Sequence, residues 1–178
     1  KGLEFPIIFL AGMGKKFNKQ DLYGKILIDP DLGIATDYLD LDLRVKTSTL
    51  KKNVLRRRLE LEALGEELRV LYVAMTRAKE KLIMTGTDRY LDKKLERFSD
   101  IKRTAGQIPF TILSTADSFL DWLLMSLSGK LSESALLSDA GAVTGLMTVR
   151  SYSVADLVGV EIEHQAEKKL SKEELLNF

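Results

Sequence analysis

The run Pro6-Ile-Ile-Phe-Leu-Ala11 is apolar at every position and is bounded by Gly12 and Gly14. An apolar run without alternation suits a strand covered on both faces, as in a parallel α/β sheet. A second buried-strand candidate, Lys81-Leu-Ile-Met-Thr-Gly86, is also closed by glycine. Between the two, apolar residues recur at Leu50, Val54, Leu55, Leu59, Leu61, Leu64, Leu68, Leu71, Tyr72 and Met75. Spacings of three and four predict one amphipathic helix, or two helices broken near Gly65, with Ser48 and Thr49 as candidate N-caps. Strand, insertion, helix, strand is the alternation of a βαβ unit, so the expected fold class is α/β.

The remaining segments are less regular. From Lys15 to Thr47 the pattern is interrupted by Gly24, Pro30, Gly33 and many aspartates. Lys25–Asp29 reads there as a short strand, and the rest as an extended surface insertion. After Asp88 a polar helical piece leads to Pro109, and Ala116–Leu127 shows helical spacing again. Ser126–Gly145 is rich in Ser, Gly and Ala and reads as a flexible linker. Leu146–Val149 is a strand candidate, Glu161–Phe178 a charged terminal helix, and the lone His164 a surface residue.

Bulk properties exclude little and permit much. The 178 residues carry 27 Lys plus Arg against 26 Asp plus Glu, a net charge of +1. No strong field is implied, and nucleic-acid binding is neither indicated nor excluded by the total. Cysteine is absent, which rules out disulfides and thiolate metal sites and permits a reducing cytoplasmic location. The longest apolar stretches, Phe5–Met13 and Phe119–Leu127, fall far short of the roughly 18–20 residues of a membrane helix. The chain starts at Lys1, without methionine, and enters a strand-like run almost at once. It reads as a cut-out from something longer.

Three spots carry candidate chemistry. Lys1-Gly-Leu-Glu-Phe5 sets a glycine and a carboxylate just before the first strand, where the glycine permits close backbone approach to a ligand and Glu4 can accept from sugar hydroxyls. The plain alternative is a turn with a solvated Glu4. Glu66-Glu-Leu-Arg-Val-Leu-Tyr-Val-Ala-Met-Thr-Arg-Ala-Lys79 sets Arg69 and Arg77 on a helix whose other stripe is apolar. Arg77 falls at that helix's end, near a sheet edge, where its planar fork can reach a phosphate. The alternative is an ordinary helix with local Glu–Arg pairs, and Tyr72 and Met75 suit a core better than a site. The basic run Lys51, Lys52, Arg56, Arg57, Arg58 can touch a nucleic-acid backbone, but acidic residues follow closely and no aromatics interleave, which favours a solvated helix face. Gly12-Met-Gly-Lys15 lacks the spacer and Ser/Thr of a P-loop. No metal-ligand spacing and no nucleophile–base arrangement stands out.

Together the first two spots resemble motifs V and VI of the superfamily-one DNA helicases related to UvrD and PcrA, in that family's order and in a strand–helix–strand context. Within that superfamily, Phe5–Gly14 with Phe17-Asn18, Leu27-Ile-Asp-Pro-Asp-Leu-Gly33 and Ala116-Asp-Ser-Phe-Leu-Asp-Trp-Leu123 resemble the AddA (RexA) subunits of bacterial ATP-dependent helicase–nucleases. The resemblance is closest over residues 1–88, weaker over 116–127, and does not extend beyond about residue 150. Leu68 departs from it, standing where many relatives have arginine.

The resemblance implies the C-terminal part of a RecA-like (P-loop NTPase-type) domain with parallel strands, plus a mostly helical appendage. Residues 1–90 would be the C-terminal half of the second RecA-like domain, 91–130 a helical extension, and 131–178 a linker and terminal segment towards a nuclease domain. Gly2 and Glu4 would line an ATP site, with Glu4 bonding the ribose. Arg77 would be the arginine finger for a γ-phosphate held mainly by the other RecA-like domain, supported by Thr76 and Arg69. The Thr and His that open motif V and touch single-stranded DNA would lie just before Lys1. The whole protein would use ATP and Mg²⁺, act on DNA in double-strand-break repair and recombination, and pair with an AddB/RexB-type subunit, with no membrane association. The nuclease's carboxylate-and-lysine motif does not occur here, and the chain alone would be inactive. Two alternatives stay open: a UvrD/PcrA-like helicase without a nuclease, and a non-catalytic helicase-like binding module.

Overall fold

The computed structural model describes residues 3–103, 106–128, 142–144 and 147–158. Gly2, His164 and the terminal helix expected over Glu161–Phe178 lie outside the described residues, as does most of the expected linker.

Strand β1 (Phe5–Leu10) pairs in parallel with β5 (Ala78–Met84). Phe5 is opposite Ala78 and Leu10 opposite Met84, with a register irregularity between Phe5 and Ile7. Pro6 sits at that irregularity, and its ring nitrogen has no hydrogen to give to a ladder. Parallel neighbours require a crossover. Here it consists of strands β2 (Ile26–Asp29), β3 (Gly33–Asp40) and β4 (Val45–Ser48), followed by helix α1 (Leu50–Met75). Thr49 caps α1, its side chain accepting from the Lys52 N–H at 3.3 Å. The helix runs 26 residues through Gly65 without a break, which decides between the one-helix and two-helix readings.

The segment expected to be mostly irregular is instead a three-stranded antiparallel sheet in the order β2-β3-β4. Two aspartate-centred turns build it. Asp29 Oδ1 accepts the N–H groups of Asp31 and Leu32 at 2.9 and 2.8 Å, and Asp40 Oδ1 accepts that of Leu43 at 2.9 Å. Its polarity is inverted relative to a common surface sheet. Leu27, Ala35 and the carboxylates of Asp29 and Asp37 face α1, while Ile26, Ile28, Ile34 and Tyr38 are exposed.

The basic run on α1 is what accepts this inverted sheet, and that corrects the solvated-face expectation. Lys52 is only 3% exposed; its Nζ donates to Asp37 at 2.9 Å and to the Lys25 carbonyl at 3.0 Å. Arg58 pairs with Asp29, Asp31 and Glu62. Arg56 donates to the Leu22 carbonyl and lies over the Tyr23 ring, and Arg57 binds Glu60 and Ser114. Leu55, fully buried, packs with Leu27, Ala35 and Leu59 beneath the sheet.

A second, larger core gathers Met13, Leu64, Leu71, Phe98, Ala116, Trp122, Leu124 and Met125. It draws on β1's exit, α1, α2 (Leu91–Ser99) and α4 (Phe119–Ser126), with the single-turn α3 (Phe110–Leu113) alongside. Phe17 meets Phe119 edge-on with ring centroids 5.0 Å apart, and Trp122 Nε1 donates to the Leu113 carbonyl at 3.0 Å. Lys94 ties α2 to α4 through Asp121 at 2.7 Å and also holds Asp88 at 2.6 Å. Strands β6 (Ala142–Thr144) and β7 (Met147–Val149) form a small antiparallel pair, and α5 (Val154–Val158) follows.

One expectation for β1 needs correcting. Phe5 is 49% and Phe9 60% exposed, so the strand is not covered on both faces. Its apolar run has β5 as its only strand neighbour among the described residues, and the core of helices fills against its C-terminal end.

Candidate functional site

The two ends of the β1–β5 pair differ. At the C-terminal end Met13 is buried, its N–H donates to the Thr85 carbonyl at 3.0 Å, and its carbonyl accepts from Leu120 at 2.8 Å. A Cβ on Gly14 would lie 2.0 Å from the Thr87 carbonyl oxygen, and Gly12 has φ of 74°. The glycines of Gly12-Met-Gly-Lys15 thus serve a backbone close approach and a left-handed turn, both structural needs. That end is closed by packing.

The N-terminal end is where the candidate residues meet. Helix α1 ends at Thr76, whose N–H bonds the Tyr72 and Ala74 carbonyls and whose hydroxyl donates to the Val73 carbonyl at 3.0 Å. The chain then turns directly into β5, so Arg77 sits in the corner between helix and strand. Its carbonyl accepts the Phe5 N–H at 2.9 Å, and its Nη1 donates to the Leu3 carbonyl at 3.3 Å. Glu4 projects beside them, with Oε2 3.8 Å from Lys79 Nζ. The Glu4 and Lys79 side chains are both open to solvent, at 54% and 63% exposure.

Glu4 and Arg77 are therefore brought to one corner of one strand pair. Arg69 is not drawn in: it lies about two turns back along α1 and pairs with Glu66 at 3.2 Å on an exposed face. Thr76 adjoins the corner, but its hydroxyl proton is committed to its own helix. Two participants do not stand out from the sequence: the Leu3 carbonyl, which holds the guanidinium, and Lys79, which faces Glu4. In the parallel register Glu4 precedes and Lys79 follows the Phe5–Ala78 pair, so the two side chains meet diagonally across the strands, a contact that local sequence spacing does not signal.

Chemically the corner offers a carboxylate able to accept from hydroxyls and two cations able to meet phosphate oxygens. Its two side-chain contacts, Arg77 to the Leu3 carbonyl and Lys79 to Glu4, are solvent-exposed and thus individually weak, so an incoming ligand can displace them at small cost. Among the described residues no three acidic or imidazole side chains gather as a metal site, and no helix is long and apolar enough to cross a membrane.

A parallel strand pair joined through a long crossover helix is an α/β arrangement consistent with a RecA-like helicase fold. Comparison with known proteins makes this specific. The UvrD-like helicase C-terminal domain family matches residues 1–89, half of the 178-residue chain, and the chain belongs to that family. Curated relatives that bear the name of the A-type subunit of an ATP-dependent helicase/nuclease are similar over most of its length. That of the Alaska strain of Clostridium botulinum is 48% identical over 129 residues, 71% of this chain and 10% of the relative. That of the Loch Maree strain is 37% identical over 175 residues, 98% of this chain and 13% of the relative. That of Bacillus cytotoxicus is 42% identical over 128 residues, again 71% and 10%. The chain thus spans only about a tenth of the length of the curated relatives it matches.

Proposed function

We propose that this chain is part of an ATP-dependent DNA helicase and exonuclease that acts in double-strand-break repair and recombination. In this reading it supplies the ribose-binding and arginine-finger residues of an ATP site shared between two RecA-like domains. The observation that carries the reading is the meeting of Leu3–Phe5 with Arg77–Lys79 at one solvent-open corner of the β1–β5 pair. The relatives' name, that of a helicase/nuclease, favours the nuclease-bearing class over a UvrD/PcrA-like helicase without one.

Glu4 accepts hydrogen bonds from the ribose hydroxyls, and Gly2, two positions earlier in the sequence, is assigned to the same nucleotide. Arg77 leaves the Leu3 carbonyl and places its guanidinium against the γ-phosphate as the other domain closes on it. Arg69 and Thr76 steady the end of α1. Charge so placed where charge develops in phosphoryl transfer contributes roughly 10³–10⁵ in rate for an arginine finger. Magnesium bound with the nucleotide would supply charge neutralisation at the phosphates, and its ligands would belong to the P-loop-bearing part of the polypeptide, since no such group gathers among the described residues. Because Arg77 engages only in the closed state, nucleotide favours closure and hydrolysis releases it. Repeated closure moves single-stranded DNA through the motor. Duplex ends are the substrate, the partner is an AddB/RexB-type subunit, and a separate domain is the nuclease.

The 178-residue chain alone lacks the phosphate-binding partner and is expected to hydrolyse no ATP with Mg²⁺. Turnover by the purified chain that disappears in Arg77→Ala would show a complete site here and overturn the shared-site reading.

A further inference from the structure

We propose that the outer face of the β2–β4 sheet docks onto an uncharged, apolar surface of the same polypeptide, outside these 178 residues. Strand register builds the face. Ile28 is opposite Ile34, Ile26 opposite Thr36 and Tyr38 opposite Thr47, and alternation along each strand sends all six to the side away from α1. Ile26, Ile28, Ile34 and Tyr38 are between 57% and 67% exposed, and Val45 on the same face is about half exposed. Burial alone favours the opposite arrangement, with isoleucines against the helix and aspartates in water. The sheet is instead held to α1 by Lys52–Asp37 and Arg58–Asp29, pairs whose desolvation makes them a weaker anchor than aliphatic packing. Seating on α1 therefore does not account for isoleucines that point outward. A surface that covers them does.

Charge, area and chain length choose the occupant. The outward positions of the three strands hold no lysine or arginine, and their one charge is Asp40, so the face offers nothing to a phosphate backbone. The apolar side chains of Ile26, Ile28, Ile34, Tyr38 and Val45 expose on the order of 600 Å², as much as a monomer ordinarily leaves open. Matched by an equal face, that is about 1,200 Å² in total, the low edge for stable complexes between separate molecules but well within the roughly 600–1,500 Å² of contacts between domains of one chain. A tethered neighbour closes such a contact readily, because its effective concentration is already high. This chain matches only 10% of one curated relative and 13% of another, so a full-length protein of that kind has ample further surface for the purpose. The contact is independent of the nucleotide corner and stands whether or not Glu4 and Arg77 meet ATP.

The test is photo-cross-linking in the full-length protein carrying Tyr38→p-benzoylphenylalanine, an aromatic for an aromatic at an exposed position. Irradiation is expected to give a cross-link within one molecule, unchanged on tenfold dilution, that peptide mapping places outside these 178 residues. A product of twice the mass that fades on dilution would show a second copy on the face and overturn the inference. So would a cross-link to an added partner subunit, to added DNA, or back into these 178 residues, and so would none at all, which would mean that the face stays in water. Ile28→Thr with Ile34→Thr, in the same background, removes apolar surface but keeps β-branched residues in the strands. The pair should cut the yield about fivefold or more. An undiminished yield would show that the isoleucines hold nothing and would equally overturn the docking.

Discussion

Arg77 donates from Nη1 to the carbonyl oxygen of Leu3, 74 residues earlier in the chain, at 3.3 Å. With the Phe5 N–H on the Arg77 carbonyl at 2.9 Å, this fastens the start of β1 to the start of β5. The backbone bond fixes where the corner is. The side-chain bond is long and exposed, so it holds the guanidinium in a resting position without committing it. Such a rest suits the proposed move of Arg77 onto a phosphate, because a buried and well-paired arginine would cost too much to free.

The helix-to-sheet contact should dominate the stability of the insertion. Leu55 is 0% exposed and is the centre of the small core beneath β2 and β3. Leu55→Ala is expected to cost about 3 kcal/mol, from lost burial plus the cavity left behind. Urea unfolding of the purified chain reads this directly, and a loss below about 1 kcal/mol would mean that the sheet is not seated on α1 as described.

Gly65 offers the opposite test. It lies inside α1, and a Cβ there would meet nothing within 4 Å. Gly65→Ala should therefore stabilise the chain by about 0.5–1 kcal/mol, since alanine has the better helix propensity and a less free unfolded state. Destabilisation would reveal a contact or a bend at this position that a continuous helix does not have.

Acid should loosen the same insertion. Hydrogen bonds from Lys52 and Lys46, outweighing burial, hold the Asp37 carboxyl below its ordinary value of 3.8. For a carboxyl depressed in the folded state, the stabilisation is complete above the unfolded value and is lost as pH falls through the folded one. The gap in Tm between the natural chain and Asp37→Asn should be widest above about pH 5 and shrink towards about pH 2. A gap constant over that range would mean the ionised form contributes nothing specific.

How much of this the sequence disclosed varies from place to place. Unbroken apolar runs and three-and-four spacing located β1, α1 and β5, although β5 begins at Ala78, ahead of the candidate run at Lys81, and β1 is not covered on both faces as its apolar run suggested. The β2–β4 sheet was mostly hidden. Its inward face carries Asp29 and Asp37, its outward face Ile28, Ile34 and Tyr38, and period-two reading assumes the reverse. The cations that make this workable, Lys52 and Arg58, sit in a run that looks solvated until their acidic partners are placed against them. At the candidate site, Glu4 and Arg77 stood out by residue type and motif. Their shared corner depends on the parallel register of β1 with β5, a long-range pairing to which local spacing is blind.

The most direct measurement is ATP hydrolysis by the full-length subunit carrying Arg77→Ala, alongside nucleotide binding by the same variant. If Arg77 meets the γ-phosphate of the nucleotide that Glu4 holds by its ribose, DNA-stimulated hydrolysis should fall by roughly 10³–10⁵ while binding survives. Hydrolysis at near-normal rates in that variant would remove Arg77 from the reaction and leave the corner without its proposed purpose.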